Sequence, residues 1–189
     1  MKINQAALFL DRDGVINTDR GYVYRREDVE FIDGIFDLVR RANSLNTLVI
    51  VVTNQSGIAR GYYTENDFQI LMDWMRSEFK RRGANIDDVY YCPFHPTQGI
   101  GKYRREHLNR KPNPGMLLEA AKDHSIDLDR SLLIGDRMTD IQAGLAANIG
   151  TLILLGSVIY ESDPRIVVVQ NLGAAQMILN QKRSPHISR

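Results

Sequence analysis

The sequence predicts an α/β fold, a doubly wound and mainly parallel sheet with helices on both faces. Two observations carry this expectation. Short apolar runs of strand length alternate along the chain with longer stretches whose apolar residues recur at helical spacing, the pattern of βαβ units. The polar clusters fall just behind those runs or just before a helix, so that all of them can converge on one edge of such a sheet. The connecting crossovers are expected to be right-handed.

The first run, 6–10, is apolar throughout and reads as a strand buried on both faces. A polar segment leads through Tyr24, and Ile35, Phe36, Leu38, Val39 and Ala42 then mark the apolar face of a helix. The run 47–52 is the second buried strand. Thr64 is placed to cap the next helix, with Asp67 as the acid of a capping box. That helix turns Phe68, Leu71, Met72, Met75 and Phe79 to the core and stops at Gly83. Residues 89–92 form a third strand, followed by a long polar loop, 93–112. Asn113 is expected to cap a helix with Pro114 at its first position, where proline is favoured. A fourth strand, 131–134, leads into a helix ending near Ala147. Two more strands, 151–155 and 165–169, precede a closing helix, 173–180, and a polar tail, 181–189, expected to be flexible. Residues 1–180 are therefore read as one domain.

Bulk properties narrow the function. The chain has 189 residues, 43% apolar and 25% charged, as in a soluble globular protein with a substantial core. A net charge of +1 gives no global attraction to nucleic acid or membrane, and neither is expected as a partner. No apolar run approaches the roughly 20 residues needed to span a bilayer, and the first residues lack the pattern of a secretion signal. Cys92 is the only cysteine, so no internal disulfide can form. A cytoplasmic location and a monomer are expected.

Four polar clusters carry the chemistry. Asp11 and Asp13 follow the first strand and, two residues apart, share one side of it. Two close carboxylates repel, so that one takes a proton or a cation sits beside them. Thr53-Asn54-Gln55-Ser56-Gly57 follows the second strand, Arg110-Lys111-Pro112 precedes a helix, and Gly135-Asp136 with Asp140 follows the fourth strand. Carboxylates can attack phosphorus or hold Mg²⁺ through oxygen. A hydroxyl and backbone amides can bind phosphoryl oxygens, and a lysine can neutralise the charge on a transferring phosphoryl group. Singly, each cluster has an ordinary structural reading: a turn, an Asx cap, a surface lysine, a helix cap. Their joint occurrence at strand edges does not.

The order Asp-x-Asp-Gly-x-Ile-Asn, Thr-Asn-Gln-Ser-Gly-Ile-Ala-Arg-Gly, Arg-Lys-Pro-x-Pro-Gly-Met and Gly-Asp-x-x-x-Asp resembles the haloacid dehalogenase (HAD) superfamily. More narrowly it resembles the D-glycero-D-manno-heptose 1,7-bisphosphate 7-phosphatases and the related histidinol-phosphate phosphatases. The likeness runs from about Ala6 to about Leu155. It implies a Rossmann-like, HAD-like sheet without a cap domain. The implied activity is Mg²⁺-dependent removal of the C7 phosphate of heptose 1,7-bisphosphate through an aspartyl phosphate, in ADP- or GDP-heptose supply for surface glycans such as lipopolysaccharide. The resemblance makes Asp11 the nucleophile and Asp13 the acid and then base. Asp11, the backbone oxygen of Asp13 and Asp136 would hold Mg²⁺, while Thr53 and Lys111 hold the phosphoryl oxygens. Asn54, Gln55, Ser56, Arg110 and Arg137 would touch substrate, Arg137 standing where the branch usually has lysine. Asp140 is either a supporting residue or a solvated helix acid.

The segment containing Asp19, Arg20 and Tyr22 is expected to line the sugar pocket; Lys102, Arg104, Arg105 and Arg110 read either as a solvated basic loop or as a cluster of which some members meet a second anionic group. One departure stands out. The branch usually pins its long loop with zinc through Cys-x-His and Cys-x-Cys, whereas these positions read Cys92, Phe94, His107 and Asn109. Phe94 cannot ligate a metal and Asn109 is a poor zinc ligand, although His95 and His107 could join Cys92. Structural zinc is not expected, so that the loop is either held by packing, as of Phe94 on Leu108, or mobile. Competing readings are a histidinol-phosphate or other small sugar-phosphate phosphatase, a DNA 3′-phosphatase, a catalytically inert sugar-phosphate binder and, from a different class, a receiver-type phospho-accepting domain.

Overall fold

A computed structural model describes residues 5–156 and 163–183. Among these, six strands form one parallel sheet: β1 (Ala7–Leu10), β2 (Leu48–Asn54), β3 (Asp88–Cys92), β4 (Leu132–Gly135), β5 (Thr151–Leu155) and β6 (Ile166–Val169). Their spatial order is β3-β2-β1-β4-β5-β6. The chain first winds outward from β1 to β3, then returns to the other side of β1 and winds out to β6. A crevice must open where the winding reverses, at the carboxyl ends of β1 and β4.

The helices are α1 (Ile35–Ser44), α2 (Ser56–Ala59), α3 (Glu65–Arg81), α4 (Gly115–His124), α5 (Met138–Ala146) and α6 (Leu172–Arg183). Alternation along the strands gives the sheet two apolar faces. Leu8, Leu10, Val49, Val51, Leu132 and Ile134 pack against α1, α3 and α6. Ala7, Phe9, Ile50, Val52, Leu133 and Leu152 pack against α4 and α5. Every strand of the centre is thus covered on both sides, which is why its sequence reads as a continuous apolar run. No cap domain interrupts the sheet among the described residues: α1 and a single 3₁₀ turn, Arg26–Asp28, lie between β1 and β2, and a second 3₁₀ turn, Gly101–Tyr103, lies in the loop after β3.

The expected start of α3 is present in detail. Thr64 Oγ1 accepts from the Asp67 amide at 3.1 Å, and Asp67 Oδ2 accepts from the Thr64 amide at 2.8 Å. All five apolar residues expected in its core face are buried, and Gly83 leaves the helix at φ 71°. Two expectations need correction. Pro114, not Asn113, is the residue before the first turn of α4, and it makes no side-chain cap; Nδ2 of Asn113 instead donates to the His107 carbonyl at 3.2 Å. The closing helix continues through residues 181–183, because Leu172, Ala175 and Leu179 bury its face against the sheet. The rest of the expected tail, 184–189, lies outside the described residues.

Candidate active site

The clusters read from the sequence meet at the winding reversal. A cleft of about 460 Å³ is lined by Asp11, Asp13, Asp19, Tyr22, Thr53, Asn54, Gln55, Ser56, Arg110, Lys111, Arg137 and Asp140. Parallel pairing of β1 with both β2 and β4 brings the chain ends that follow them side by side, and the Asp11 amide extends the ladder by donating to Ile134 O at 3.0 Å.

At the floor lies a buried lysine between two acids. Lys111 Nζ is 3.0 Å from Asp11 Oδ1 and 2.6 Å from Asp140 Oδ1, and donates to Val52 O at 2.9 Å. Burial by itself lowers the pKa of this ammonium, but Asp11 and then Asp140 outweigh it and hold the pKa above its ordinary value. Burial pushes the Asp11 carboxyl up to about 7, against the pull of Lys111. Burial, and then repulsion from Asp140, pushes Asp136 up to about 6.

Carboxylate oxygens of Asp11, Asp136 and Asp140 all lie within 4.8 Å of one another. Asp136 Oδ1 is buried without a hydrogen-bond partner. Close acids with a desolvated, unpaired oxygen form a donor set suited to a hard divalent cation. The backbone leaves room for it at Gly14, whose φ is 86° and where a Cβ would fall 2.3 Å from Asp136 Oδ2. The Asp13 side chain is not in this group. Its carboxylate faces Arg12, which donates from Nη2 at 2.8 and 2.9 Å, and the Asn17 amide, which donates at 3.0 Å.

Several residues expected to touch substrate are also engaged within the protein. Asn54 spends both ends of its amide on the backbone of Lys111, donating to its carbonyl and accepting from its amide at 3.0 Å each. Gln55 accepts from the Tyr63 hydroxyl at 2.6 Å and donates to Thr53 Oγ1 at 2.8 Å and to Asp13 at 3.3 Å. Both line the cleft while holding its catalytic candidates in place. Arg20 is not at the site: it is exposed and pairs with Glu30 at 2.6 Å, because the chain after β1 runs beside residue 30, where the Thr18 amide donates to the Glu30 carbonyl. Asp19 and Arg137 form a bridge of 2.7 Å across the cleft mouth. Tyr22, at φ 57°, stands edge-on to Tyr62 at 4.7 Å.

Of the four basic residues in the long loop, Arg110 alone lines the cleft. It donates to Phe94 O at 2.9 Å, and burial lowers its pKa. Lys102 lies over the Tyr103 ring at 4.9 Å and Arg105 over the Phe94 ring at 4.0 Å, so both are used in packing. The expected contact of Phe94 with Leu108 is not the one made. Leu108 is exposed, and Phe94 lies between Arg105 and the stacked His107 ring, whose centroid is 4.6 Å away. Nδ1 of His107 accepts from the Asn109 amide and Nδ1 of His95 from the Thr97 and Gln98 amides, while burial raises the pKa of the Cys92 thiol.

Asp140 is a supporting residue of the site and not a solvated helix acid. It is buried, pairs with Lys111, and its Oδ2 accepts from the Arg137 amide at 3.0 Å. The signal was its position four residues after Asp136, one helical turn on. Tyr63 had no signal: it reaches the site only because α2 and the turn behind it fold back, with its ring against Gly57, where a Cβ would meet it at 2.2 Å.

Comparisons with known proteins agree with this geometry. A HAD-hydrolase-like family model matches residues 108–167. The D-glycero-alpha-D-manno-heptose-1,7-bisphosphate 7-phosphatase of Burkholderia mallei is 58% identical over 149 residues, covering 79% of each chain. The enzyme of the same name from Campylobacter jejuni is 50% identical, over 83% of this chain and 86% of that one. A crystal structure of D,D-heptose 1,7-bisphosphate phosphatase from B. bronchiseptica, complexed with magnesium and phosphate, superposes with a TM-score of 0.80 at 26% identity, over 94% of this chain and 99% of the other. A lysine clamped between Asp11, just after β1, and Asp140 of α5, on a parallel sheet and with relatives this close, leads to one assignment: the chain belongs to the heptose-1,7-bisphosphate 7-phosphatase family of the HAD superfamily and is a phosphoric monoester hydrolase.

Proposed function

We propose that this chain is a Mg²⁺-dependent phosphatase that removes the C7 phosphate of D-glycero-D-manno-heptose 1,7-bisphosphate. The single observation that carries the reading is the convergence of Asp11, Asp136 and Asp140 within 4.8 Å, with Lys111 bound to two of them. Asp11, the backbone oxygen of Asp13 and Asp136 would hold the cation, which when bound neutralises charge on the phosphoryl group and on these acids. Lys111 and Thr53 bind the phosphoryl oxygens and orient phosphorus toward Asp11. Asp11 attacks in line and forms an aspartyl phosphate. Asp13 protonates the departing sugar oxygen and then takes a proton from the water that hydrolyses the acyl phosphate. Asp140 neutralises and aims Lys111.

Arg110 and Arg137, which both line the cleft, meet the phosphate that is not cleaved, while Asp19 and Tyr22 border the sugar. The α configuration at C1 is favoured, since the relatives at 58% and 50% identity are named for that anomer and those named for the β anomer stand at 41–46%. The enzyme acts in the cytoplasm as a monomer, in the supply of nucleotide-activated heptose for surface glycans. A phosphate-release assay with both anomers of heptose 1,7-bisphosphate, fructose 1,6-bisphosphate and histidinol phosphate tests this. Catalytic turnover of the heptose substrate, dependent on Mg²⁺ and abolished in a folded Asp11→Asn variant, is expected. A preference for histidinol phosphate, or a single phosphorylation per chain without turnover, overturns it.

A further inference from the structure

Arg12 lies between the two acids at the end of β1 and is the largest side chain with no exposed surface among the described residues. Burying a guanidinium costs several kcal/mol unless a partner compensates it. Its partner is the residue next to it. Nε donates to Asp13 Oδ2 at 3.2 Å, and Nη2 donates to Oδ2 at 2.8 Å and Oδ1 at 2.9 Å. Neighbouring side chains on a strand point to opposite sides, so this pairing requires the backbone to leave the strand at this point. It does so in a tight turn, in which the amides of Ile16 and Asn17 both donate to the Arg12 carbonyl.

The guanidinium is itself fixed from behind. Nη2 donates to Val23 O at 2.7 Å, and the group lies over the Phe68 ring at 5.7 Å, against α3. It therefore ties the Asp13 carboxylate to the segment after β1, at Val23, and to α3, at Phe68. Asn17 Nδ2 and Gln55 Nε2 complete the cradle, at 3.0 and 3.3 Å. Only Asp13, with 22% of its side chain exposed, reaches the cleft; Arg12 does not.

The geometry points to Arg12 as a positioning residue for the acid step, which holds the Asp13 carboxyl against the leaving oxygen without touching substrate. It rests on the assignment of Asp13 made above. In that step the Asp11 oxygen forms its bond to phosphorus as the bond from phosphorus to the C7 oxygen breaks. The electron pair of the broken bond stays on the C7 oxygen, which takes the proton of Asp13. A basic alkoxide needs that proton, whereas p-nitrophenolate leaves without it.

The test compares kcat/KM for heptose 1,7-bisphosphate and p-nitrophenyl phosphate, because this ratio reports formation of the aspartyl phosphate and not its hydrolysis. Arg12→Met is expected to lower kcat/KM for the sugar substrate on the order of 100-fold, as misplacement of a catalytic group does, and for the aryl substrate under about fivefold, since that leaving group needs no acid. Arg12→Lys keeps the charge but not the fork; it should show the same bias at smaller size and replaces Arg12→Met if that variant does not fold. In an Asp13→Asn background, Arg12→Met should add no further bias. Equal losses on both substrates in the Arg12 variants, with the bias present in Asp13→Asn, overturn the role of Arg12 alone. An Asp13→Asn enzyme without the bias overturns the assignment of Asp13 as well.

Discussion

Gly14 illustrates how a single missing side chain can serve this site. Its φ of 86° disfavours any other residue, and its Cα borders the Asp136 carboxylate so closely that a methyl group would displace it. Gly14→Ala is expected to raise the Mg²⁺ concentration for half-maximal activity about 10- to 100-fold, the usual effect of disturbing a ligand's support; a Mg²⁺ titration measures it. Asn54 works by the opposite means, through both ends of its amide. Asn54→Leu leaves the Lys111 amide and carbonyl without those partners, at a cost of about 1–3 kcal/mol, and frees the lysine to shift. Its kcat should fall by at least about tenfold, with KM for the heptose substrate changing less; steady-state kinetics would show a change in KM alone if Asn54 only touched the sugar.

At the scale of elements, the loop between β3 and α4 is held by ring packing and by hydrogen bonds to α3. Phe94 is sandwiched by Arg105 and His107, and the 3₁₀ turn is tied to α3 through Glu65. Glu65 accepts from the Tyr103 hydroxyl at 2.6 Å and from the Tyr91 hydroxyl at 2.7 Å, and these bonds, that from Tyr103 first, hold its carboxyl below the ordinary 4.5. A depressed carboxylate pKa favours the folded state above the unfolded value, and that contribution is lost as pH falls through the folded one. Glu65→Gln should therefore destabilise the protein at pH 7, with a deficit that shrinks below about pH 4.5. Urea unfolding across pH checks this; a deficit independent of pH would remove the carboxylate from the explanation.

For the whole molecule, the cost of the site is concentrated repulsion. Three acids from two arms of one sheet are held together at its winding reversal, and Lys111 offsets two of them. A cation bound there stabilises the folded state by mass action, about 2.7 kcal/mol at a hundred times its dissociation constant. Melting in Mg²⁺ should thus occur several degrees above melting in EDTA, since about 1 kcal/mol moves Tm by 2–4 °C in a domain of this size. Equal melting temperatures in calorimetry would contradict a metal held by Asp11 and Asp136.

Much of this was legible in the chain. Central strands buried on both faces leave an unbroken apolar run, and an amphipathic helix such as α3 declares its face and its cap, because burial and capping act over a few residues. The acids and Lys111 could be named from their place behind such runs. What the sequence did not contain was the partner of each polar group. That Arg20 turns to Glu30, that Arg12 turns inward to Asp13, that Phe94 stacks on His107 and not on Leu108, and that Asp140 and Tyr63 reach the site were all decided by chain crossings between distant segments. Local sequence sets which groups are polar; only the packed fold sets which of them must find one another once water has been excluded.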